Sequence, residues 1–306
     1  MGSNIANILL VIGISAAAAP LFVAREVVRR DVPLMIFISL IVYVIALGGT
    51  VHNWQGWLLF AGAIGYTVYT VREGRRTHRA QKRADLEAAG IDPDTHQAPK
   101  LDWLHLGLQV LFLVGGLALL VLGANWLVSA AVTIATWLGV SPLVIGLTIV
   151  AVGTSLPEVA TSVVATLRGE RDLAVGNAVG SNLFNILLVL GLTSALTPGG
   201  LPISDAARTT HIPIMLFVAA ICLPVFGLGQ VITRWEGVLF LFLYIAYNVY
   251  LFLEAGSGAA LGVYRLVMLA GVIPMLLVAW LIAAGLYLRR RQMRALEAAE
   301  ETAERA

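Results

Sequence analysis

Long apolar runs separated by short polar stretches fill most of the chain. The runs are continuous rather than alternating, which favours helices over strands. The length of most runs is close to the about 20 apolar residues that a helix needs to cross a bilayer. The pattern therefore predicts an all-α polytopic membrane protein. We predict nine membrane segments, at 5–23, 33–49, 56–72, 104–136, 141–167, 173–197, 211–229, 236–254 and 264–288.

An internal repeat runs through these segments. GSNIANILLVIG at 2–13 and GSNLFNILLVLG at 180–191 share nine of twelve residues at an offset of 178. VPLMIF at 32–37 resembles IPIMLF at 212–217, so segments one to three correspond to segments six to eight. Matching segments lie five spans apart, an odd number, and the two copies therefore have opposite orientations in the membrane. Inverted repeats indicate a secondary transporter whose site lies near the bilayer midplane.

Composition and charge agree with a membrane location. Hydrophobic residues make up 59% of the 306 residues and charged residues 12%, against about 25% charged residues in soluble domains. Lys and Arg cluster after odd-numbered segments, whereas the loops after even-numbered segments hold only Arg208 and Arg265. The positive-inside rule then places the C-terminus in the cytoplasm. We expect a multi-pass protein of the cell inner (plasma) membrane, with the lipid bilayer as a partner and no nucleic acid.

Segment five carries a candidate ion site. GTSLPE at 153–158 puts the Glu158 carboxylate at the centre of a span, and no other acidic residue lies so deep inside a segment. Ionisable residues within the membrane are costly and are functional candidates by default. Pro157 lacks a backbone N–H and therefore frees carbonyls near Gly153 and Thr154. We expect a broken helix here, although Pro157 could also mark only a kink.

Segment six supplies complementary oxygen atoms. Gly176 and Gly180 interrupt it, and Asn185 lies four residues beyond Ser181 on the same helical face. Carboxylate, hydroxyl and amide oxygens suit Ca²⁺ or Na⁺ rather than a soft metal. We expect these ions as substrates and no cofactor. The spacing of the two glycines could alternatively mark close helix packing.

The motifs GTSLPE and GNAVGSNLFN resemble the alpha-repeat of the sodium/calcium exchanger family, prokaryotic type, within the cation/calcium antiporter superfamily. The resemblance covers residues 2 to about 254. It implies an inverted-repeat antiporter fold with ten spans, four of them broken helices around the ion site. It also implies exchange of Ca²⁺ for Na⁺ by alternating access, with the segment at 104–136 as a sliding gating helix. The oligomeric state stays open between a monomer and an unknown oligomer.

The resemblance further implies a set of ion ligands. These are Glu158, Thr154 and Ser155 on one helix, Ser181 and Asn185 on the next, Ser3 and Asn7 from the other half, and the backbone carbonyl of Ala151. Among them Glu158, Ser155 and Asn185 are expected to contact the metal ion.

The chain departs from the family pattern at its N-terminal side. Residue 1 aligns with Val179, so the first repeat has no counterpart of residues 102–178, where a second GTS-x-PE motif would stand. We expect an N-terminally truncated chain, explained by a misassigned start, a partner-dependent truncation or a non-transporting remnant. Asn185 stands where some members carry Asp, which leaves Ca²⁺/H⁺ or K⁺-linked exchange open.

Four parts of the chain follow from the repeat. They are an incomplete first repeat at 1–73, a cytoplasmic linker at 74–101, a complete second repeat at 102–255 with the alpha-repeat motif at 141–197, and an extra span with a cytoplasmic tail at 256–306. The linker is expected to contain a short helix or, alternatively, to contact anionic lipids. We expect no enzyme, because the sequence offers no base for an intramembrane hydrolase built on Ser155.

Overall fold

The computed structural model describes residues 1–88, 103–140, 145–255, 259–275, 278, 280–282 and 285. The chain in these parts is almost wholly helical. We number the helices α1 (Gly2–Ala18), α2 (Val27–Leu47), α3 (Asn53–Ala88), α4 (Trp103–Trp137), α5 (146–167), α6 (Arg171–Leu196), α7 (Ala207–Gly227), α8 (Arg234–Ala255) and α9 (259–272). The predicted all-α membrane fold is confirmed.

Seven helices in the described parts of the chain are long and apolar enough to cross a membrane, namely α2 and α4 to α9. Helix α1 is apolar but shorter. Helix α3 is long enough to cross a membrane but not apolar enough, because Asn53, Gln55 and several tyrosines and threonines lower its mean hydropathy. The predicted count of nine spans is therefore not confirmed. Residues 89–102, 141–144 and 286–306, which include parts of the predicted linker, of segments five and nine, and of the tail, lie outside the described residues.

Several segment ends differ from the sequence prediction, and α2 begins at Val27 rather than at 33. Helix α1 ends at Ala18 rather than at 23, since Ala19 is extended and the chain then enters a short strand. Helix α3 continues through the first part of the predicted linker, as far as Ala88. Its polar half carries Arg72, Arg75 and Arg76 on exposed positions, so a single long helix leaves the apolar region without a break.

Within the described parts of the chain, four short strands pair across the two repeats. They are β1 (Leu21–Phe22), β2 (Thr50–Val51), β3 (Leu201–Pro202) and β4 (Val231–Ile232), and β1 pairs antiparallel with β4 while β2 pairs with β3. The strands β1 and β3 occupy equivalent repeat positions, as do β2 and β4. Each strand therefore pairs with its non-equivalent strand in the other repeat, as a two-fold relation between inverted halves requires.

Helix packing follows the same symmetry. Helix α3 packs on α6, where a Cβ atom at Gly56 would lie 2.4 Å from the backbone nitrogen of Ala195. Helix α8 packs on α1, where a Cβ atom at Gly237 would lie 2.6 Å from the backbone nitrogen of Ala17. Gly56 and Gly237 are equivalent in the repeat. Small residues let membrane helices approach closely, and here they do so at both equivalent contacts.

The core lies around α1 and α6. Ile5, Ile8, Ile12, Leu183 and Ile186 are almost completely buried there. Helices α4 and α9 lie at the periphery and expose their apolar stretches. The two helices that carry the strongest sequence repeat thus form the centre of the molecule.

Helix α9 is held against α8 by polar contacts. Tyr264 donates its hydroxyl to the carbonyl of Ala246 at 2.7 Å, and Arg265 donates to the Tyr250 hydroxyl at 2.7 Å. Arg265 also lies 3.7 Å from Glu254, which is 3.8 Å from the buried His211. The additional helix is therefore attached to α8 between Ala246 and Glu254.

Candidate ion-binding site

Helix α5 is continuous through the motif, and the predicted break is wrong. A π turn at Gly146–Val150 leads directly into the α-helix Ala151–Leu167, with Pro157 inside it. Proline still removes the N–H that would bond the carbonyl of Gly153. A Cβ atom at Gly153 would lie 1.8 Å from Val128 of α4, so α4 packs closely at this turn.

Helix α6 is continuous as well. The α-helix Arg171–Phe184 passes into a π turn at Asn185–Leu190, and neither Gly176 nor Gly180 interrupts it. A Cβ atom at either glycine would meet nothing within 4 Å. The two glycines therefore mark neither a break nor close helix packing. The wider π turn, which often occurs at functional positions, begins instead at the predicted ligand Asn185.

The π turns repeat with the sequence. Asn7–Ile12 in α1 is equivalent to Asn185–Leu190 in α6, and Val27–Asp31 in α2 is equivalent to Ala207–His211 in α7. Both predicted ligand asparagines, Asn7 and Asn185, are thus the first residue of a π turn. The sequence pattern does not predict these turns, because hydrophobicity does not report an extra residue in one helical turn.

Hydroxyl groups from the two halves meet between α1 and α5. Ser3 Oγ lies 2.9 Å from Thr154 Oγ1, and Thr154 Oγ1 donates to the carbonyl of Ala151 at 3.0 Å. Since Thr154 has a single hydroxyl hydrogen, Ser3 is the donor in the first pair. Three predicted ligands are therefore brought together, although they are up to 151 positions apart in the chain.

Ser155 and Glu158 lie one turn apart on α5. Ser155 is 1% exposed, and its hydroxyl has no hydrogen-bond partner among the described residues. Glu158 is half-buried, and its carboxylate makes no hydrogen bond or ion pair within the same described parts of the chain. Buried polar groups normally have partners. An unpaired carboxylate next to an unpaired hydroxyl is an arrangement that a cation would complete.

Asn177 ties α5 to α6 beside this position. Its Nδ2 donates to Thr161 Oγ1 at 3.2 Å and to Ser162 Oγ at 3.1 Å. The hydroxyl groups of Thr161 and Ser162 therefore both have hydrogen-bond partners within the protein. The described residues contain no group of three or more His, Cys, Asp or Glu side chains able to hold a metal ion. A cation at α5 would be held by one carboxylate and neutral oxygens.

The asparagines lie where α1 meets α6. Asn185 Nδ2 donates to Asn4 Oδ1 at 2.9 Å, which leaves Asn185 Oδ1 available. Asn7 is fully buried, and neither of its amide atoms has a partner within the described structure. Ser181, one turn before Asn185, is half-buried. Asn4 was not predicted as a site residue, although the repeated GSN triplet contains it.

The predicted residues are thus brought together in part. Helix α5 packs against both α1 and α6, so all eight predicted ligands lie on three neighbouring helices. Direct hydrogen bonds between them, among the residues described, join only Ser3, Thr154 and Ala151. The other predicted ligands lie on the same three helices, and none of them forms a side-chain hydrogen bond with another predicted ligand among the described residues.

Comparisons with known proteins agree on one family. The family model described as sodium/calcium exchanger protein matches residues 1–72 and 108–253. The putative antiporter CaxA of Alkalimonas amylolytica is 39% identical over 254 residues, which cover 82% of this chain and 76% of CaxA. The sodium/calcium exchanger MaX1 of Methanosarcina acetivorans is 30% identical over 277 residues, which cover 82% of this chain and 78% of MaX1.

A solved structure supports the same assignment. The sodium-calcium exchanger NCX_Mj soaked with 10 mM Na⁺ and zero Ca²⁺ matches with a TM-score of 0.62 at 27% identity, over 81% of this chain and 74% of that one. The family model spans more than half of the chain, and the solved structure shares its fold. The chain therefore belongs to the sodium/calcium exchanger protein family, whose members are membrane antiporters.

Proposed function

We propose that this protein exchanges Ca²⁺ for Na⁺ across the inner (plasma) membrane by alternating access. The observation that carries the proposal is the unpaired Glu158 carboxylate beside the unpaired Ser155 hydroxyl, on a helix that packs against both α1 and α6. A carboxylate in a membrane span without a cationic partner is unfavourable. A transported cation removes this penalty each time it binds.

The proposed coordination shell contains oxygens only. Its members are Glu158, Ser155, Thr154, the Ala151 carbonyl, Ser181, Asn185, Ser3 and Asn7. A hydroxyl oxygen can coordinate a cation through a lone pair while its hydrogen is donated to another group. The Thr154 hydroxyl donates its hydrogen to the Ala151 carbonyl in this way. Ca²⁺ takes six to eight such oxygens, and these eight groups supply enough of them.

The presence of a single carboxylate determines the relative affinity of the site for Na⁺ and Ca²⁺. A single negative charge neutralises one Na⁺ but only half of the charge of one Ca²⁺. Ca²⁺ affinity rises with the number of charged ligands, so this site should bind Ca²⁺ with modest affinity. A modest affinity allows Na⁺ to displace Ca²⁺, which exchange requires.

The test uses the full chain reconstituted in liposomes loaded with Na⁺, with radioactive Ca²⁺ outside. An outward Na⁺ gradient should drive Ca²⁺ uptake, and an ionophore that collapses the Na⁺ gradient should stop it. The neutral Asn185 leaves proton or K⁺ coupling as the second candidate. Uptake driven by a proton or K⁺ gradient instead of Na⁺ would favour that candidate, and no uptake under any gradient would contradict the exchange proposal.

A further inference from the structure

Two asparagines at the centre of the molecule bind each other symmetrically. Asn4 Nδ2 donates to the carbonyl of Asn182 at 3.4 Å, and Asn182 Nδ2 donates to the carbonyl of Asn4 at 3.1 Å. The same two amide nitrogens lie 3.6 Å from Sδ of Met215 and of Met35, respectively. All four residues occupy equivalent repeat positions in pairs. The asparagine pair therefore lies on the axis that relates α1 to α6.

The symmetry stops at the side-chain oxygens. Asn4 Oδ1 accepts a hydrogen bond from Asn185 Nδ2 at 2.9 Å. The equivalent bond would run from Asn7 Nδ2 to Asn182 Oδ1, but in the described structure neither amide atom of Asn7 nor Asn182 Oδ1 has a partner. Asn7 and Asn182 are 0% and 2% exposed. Buried amide atoms without partners are rare, and here they stand where symmetry places a bond.

We propose that Asn4 and Asn182 are positioning residues for the two ligand asparagines. This inference rests on the proposed function, in which Asn7 and Asn185 are ion ligands. Asn4 holds Asn185 by its amide N–H, so that Asn185 Oδ1 is the atom left for the cation. Asn182 holds Asn7 in the same way when the protein opens to the other side. In the state described here Asn185 is held and Asn7 is released.

Inverted repeats give a physical reason for this alternation. Alternating access opens the site first to one side of the membrane and then to the other, so a contact made in one repeat in one state is expected at the equivalent position of the other repeat in the other state. Moving one neutral hydrogen bond from Asn4 to Asn182 changes no charge. This change of hydrogen-bond partner therefore reorients one ligand asparagine without strongly favouring either state.

Double-mutant cycles on the purified full chain test the proposal, because a cycle isolates the interaction between two side chains. Asn4→Leu and Asn182→Leu are each combined with Asn185→Ala and with Asn7→Ala, and the dissociation constant for Ca²⁺ is measured by titration calorimetry. Asn4→Leu should weaken binding about fivefold. That loss should vanish when Asn185 is already alanine and persist when Asn7 is alanine, and Asn182→Leu should show the converse.

Additive effects in all four combinations, or equal coupling of Asn4 to both ligand asparagines, would overturn the positioning role. Asn4 and Asn182 would then only hold α1 and α6 together. If the leucine variants do not fold, Asn4→Ala and Asn182→Ala are used in the same cycles, since alanine also removes the side-chain acceptor and adds no volume.

A measurement without ions separates this inference from the exchange proposal. In the full chain with nitrogen-labelled asparagine, Asn4→Leu should speed hydrogen exchange of the Asn185 side-chain amide, whereas Asn182→Leu should leave it unchanged. If this pattern appears in a chain that binds no Ca²⁺, the exchange proposal fails and the hydrogen bond from Asn185 to Asn4 stands. An unchanged exchange rate in Asn4→Leu, or the same increase in both variants, would contradict the positioning role.

Discussion

Ser155 and Ser162 on α5 are equally buried, each 1% exposed, but their hydroxyl groups have different surroundings. Ser162 Oγ accepts a hydrogen bond from Asn177 Nδ2 at 3.1 Å and so joins α5 to α6. Ser155 Oγ has no partner among the described residues. A buried hydroxyl without a partner lowers stability. We therefore interpret Ser155 as a residue kept for the ion and Ser162 as one kept for packing.

This difference predicts opposite effects for one substitution. Ser155→Ala should weaken Ca²⁺ binding about threefold to tenfold while leaving the melting temperature unchanged or raised, because no hydrogen bond within the protein is lost. Ser162→Ala should leave Ca²⁺ affinity unchanged and lower the free energy of unfolding by about 1 kcal/mol. Calorimetric titration and thermal unfolding of the two purified variants check this. A stability loss in Ser155→Ala with unchanged affinity would refute the assignment.

Among the helices, glycine contacts decide how closely α3 approaches α6. At Gly56 a Cβ atom would lie 2.4 Å from Ala195 N and 2.7 Å from Gly191 O, both of them backbone atoms that cannot move aside. At Gly65 on the same helix a Cβ atom would meet nothing within 4 Å. The first glycine is required by packing and the second is not.

Gly56→Ala should therefore destabilise the protein by about 1–3 kcal/mol through overpacking. Gly65→Ala, the matched control, should be neutral or stabilising by up to about 1 kcal/mol, because alanine is the better helix former. Thermal unfolding in detergent followed by size-exclusion chromatography compares the two. Equal melting temperatures would mean that α3 does not pack on α6 as described.

The ends of the helices show what a sequence can and cannot predict. The apolar runs predicted the helices because each run is a local property of the chain. The end of α1 was predicted too late, since Leu21 pairs with Ile232 far away in sequence. The break at Pro157 was predicted wrongly, because neighbouring helices can support a helix that lacks one backbone bond.

The candidate site divides in the same way. The residue types at Thr154 and Glu158 already suggested a cation site, because a carboxylate and hydroxyls inside a span have few other uses. The bond from Asn185 to Asn4 was not predicted. It depends on the distance between α1 and α6, and that distance is set by packing that no local pattern contains.

In the whole molecule, the two small sheets fix the relation between the halves. Helix α2 connects β1 to β2, so the β1–β4 and β2–β3 pairs lie at opposite ends of the membrane region. The Arg-rich end of α3 then belongs, by the positive-inside rule, on the cytoplasmic side. We propose this orientation for the membrane-spanning region. The division into two halves at 1–73 and 102–255, joined by a linker at 74–101, stays a prediction.

The orientation predicts which loops can be labelled from outside. Glu170 and Asp205 are exposed at opposite ends of α6. A membrane-impermeant maleimide should modify Asp205→Cys in intact cells, and Glu170→Cys only after permeabilisation. The natural Cys222 is buried and should remain silent. The reverse labelling pattern would invert the proposed topology, and labelling of both in intact cells would exclude α6 as a span.

The most direct test of the account compares two identical substitutions in one stretch of chain. Glu158→Gln removes the half-buried carboxylate of α5, whereas Glu170→Gln removes an exposed one just beyond the helix. In liposomes with an outward Na⁺ gradient, Glu158→Gln should reduce Ca²⁺ uptake about tenfold or more, because a charged ligand is lost. Glu170→Gln should transport like the unmodified chain. Full Ca²⁺ uptake by a folded Glu158→Gln variant would contradict the ion site.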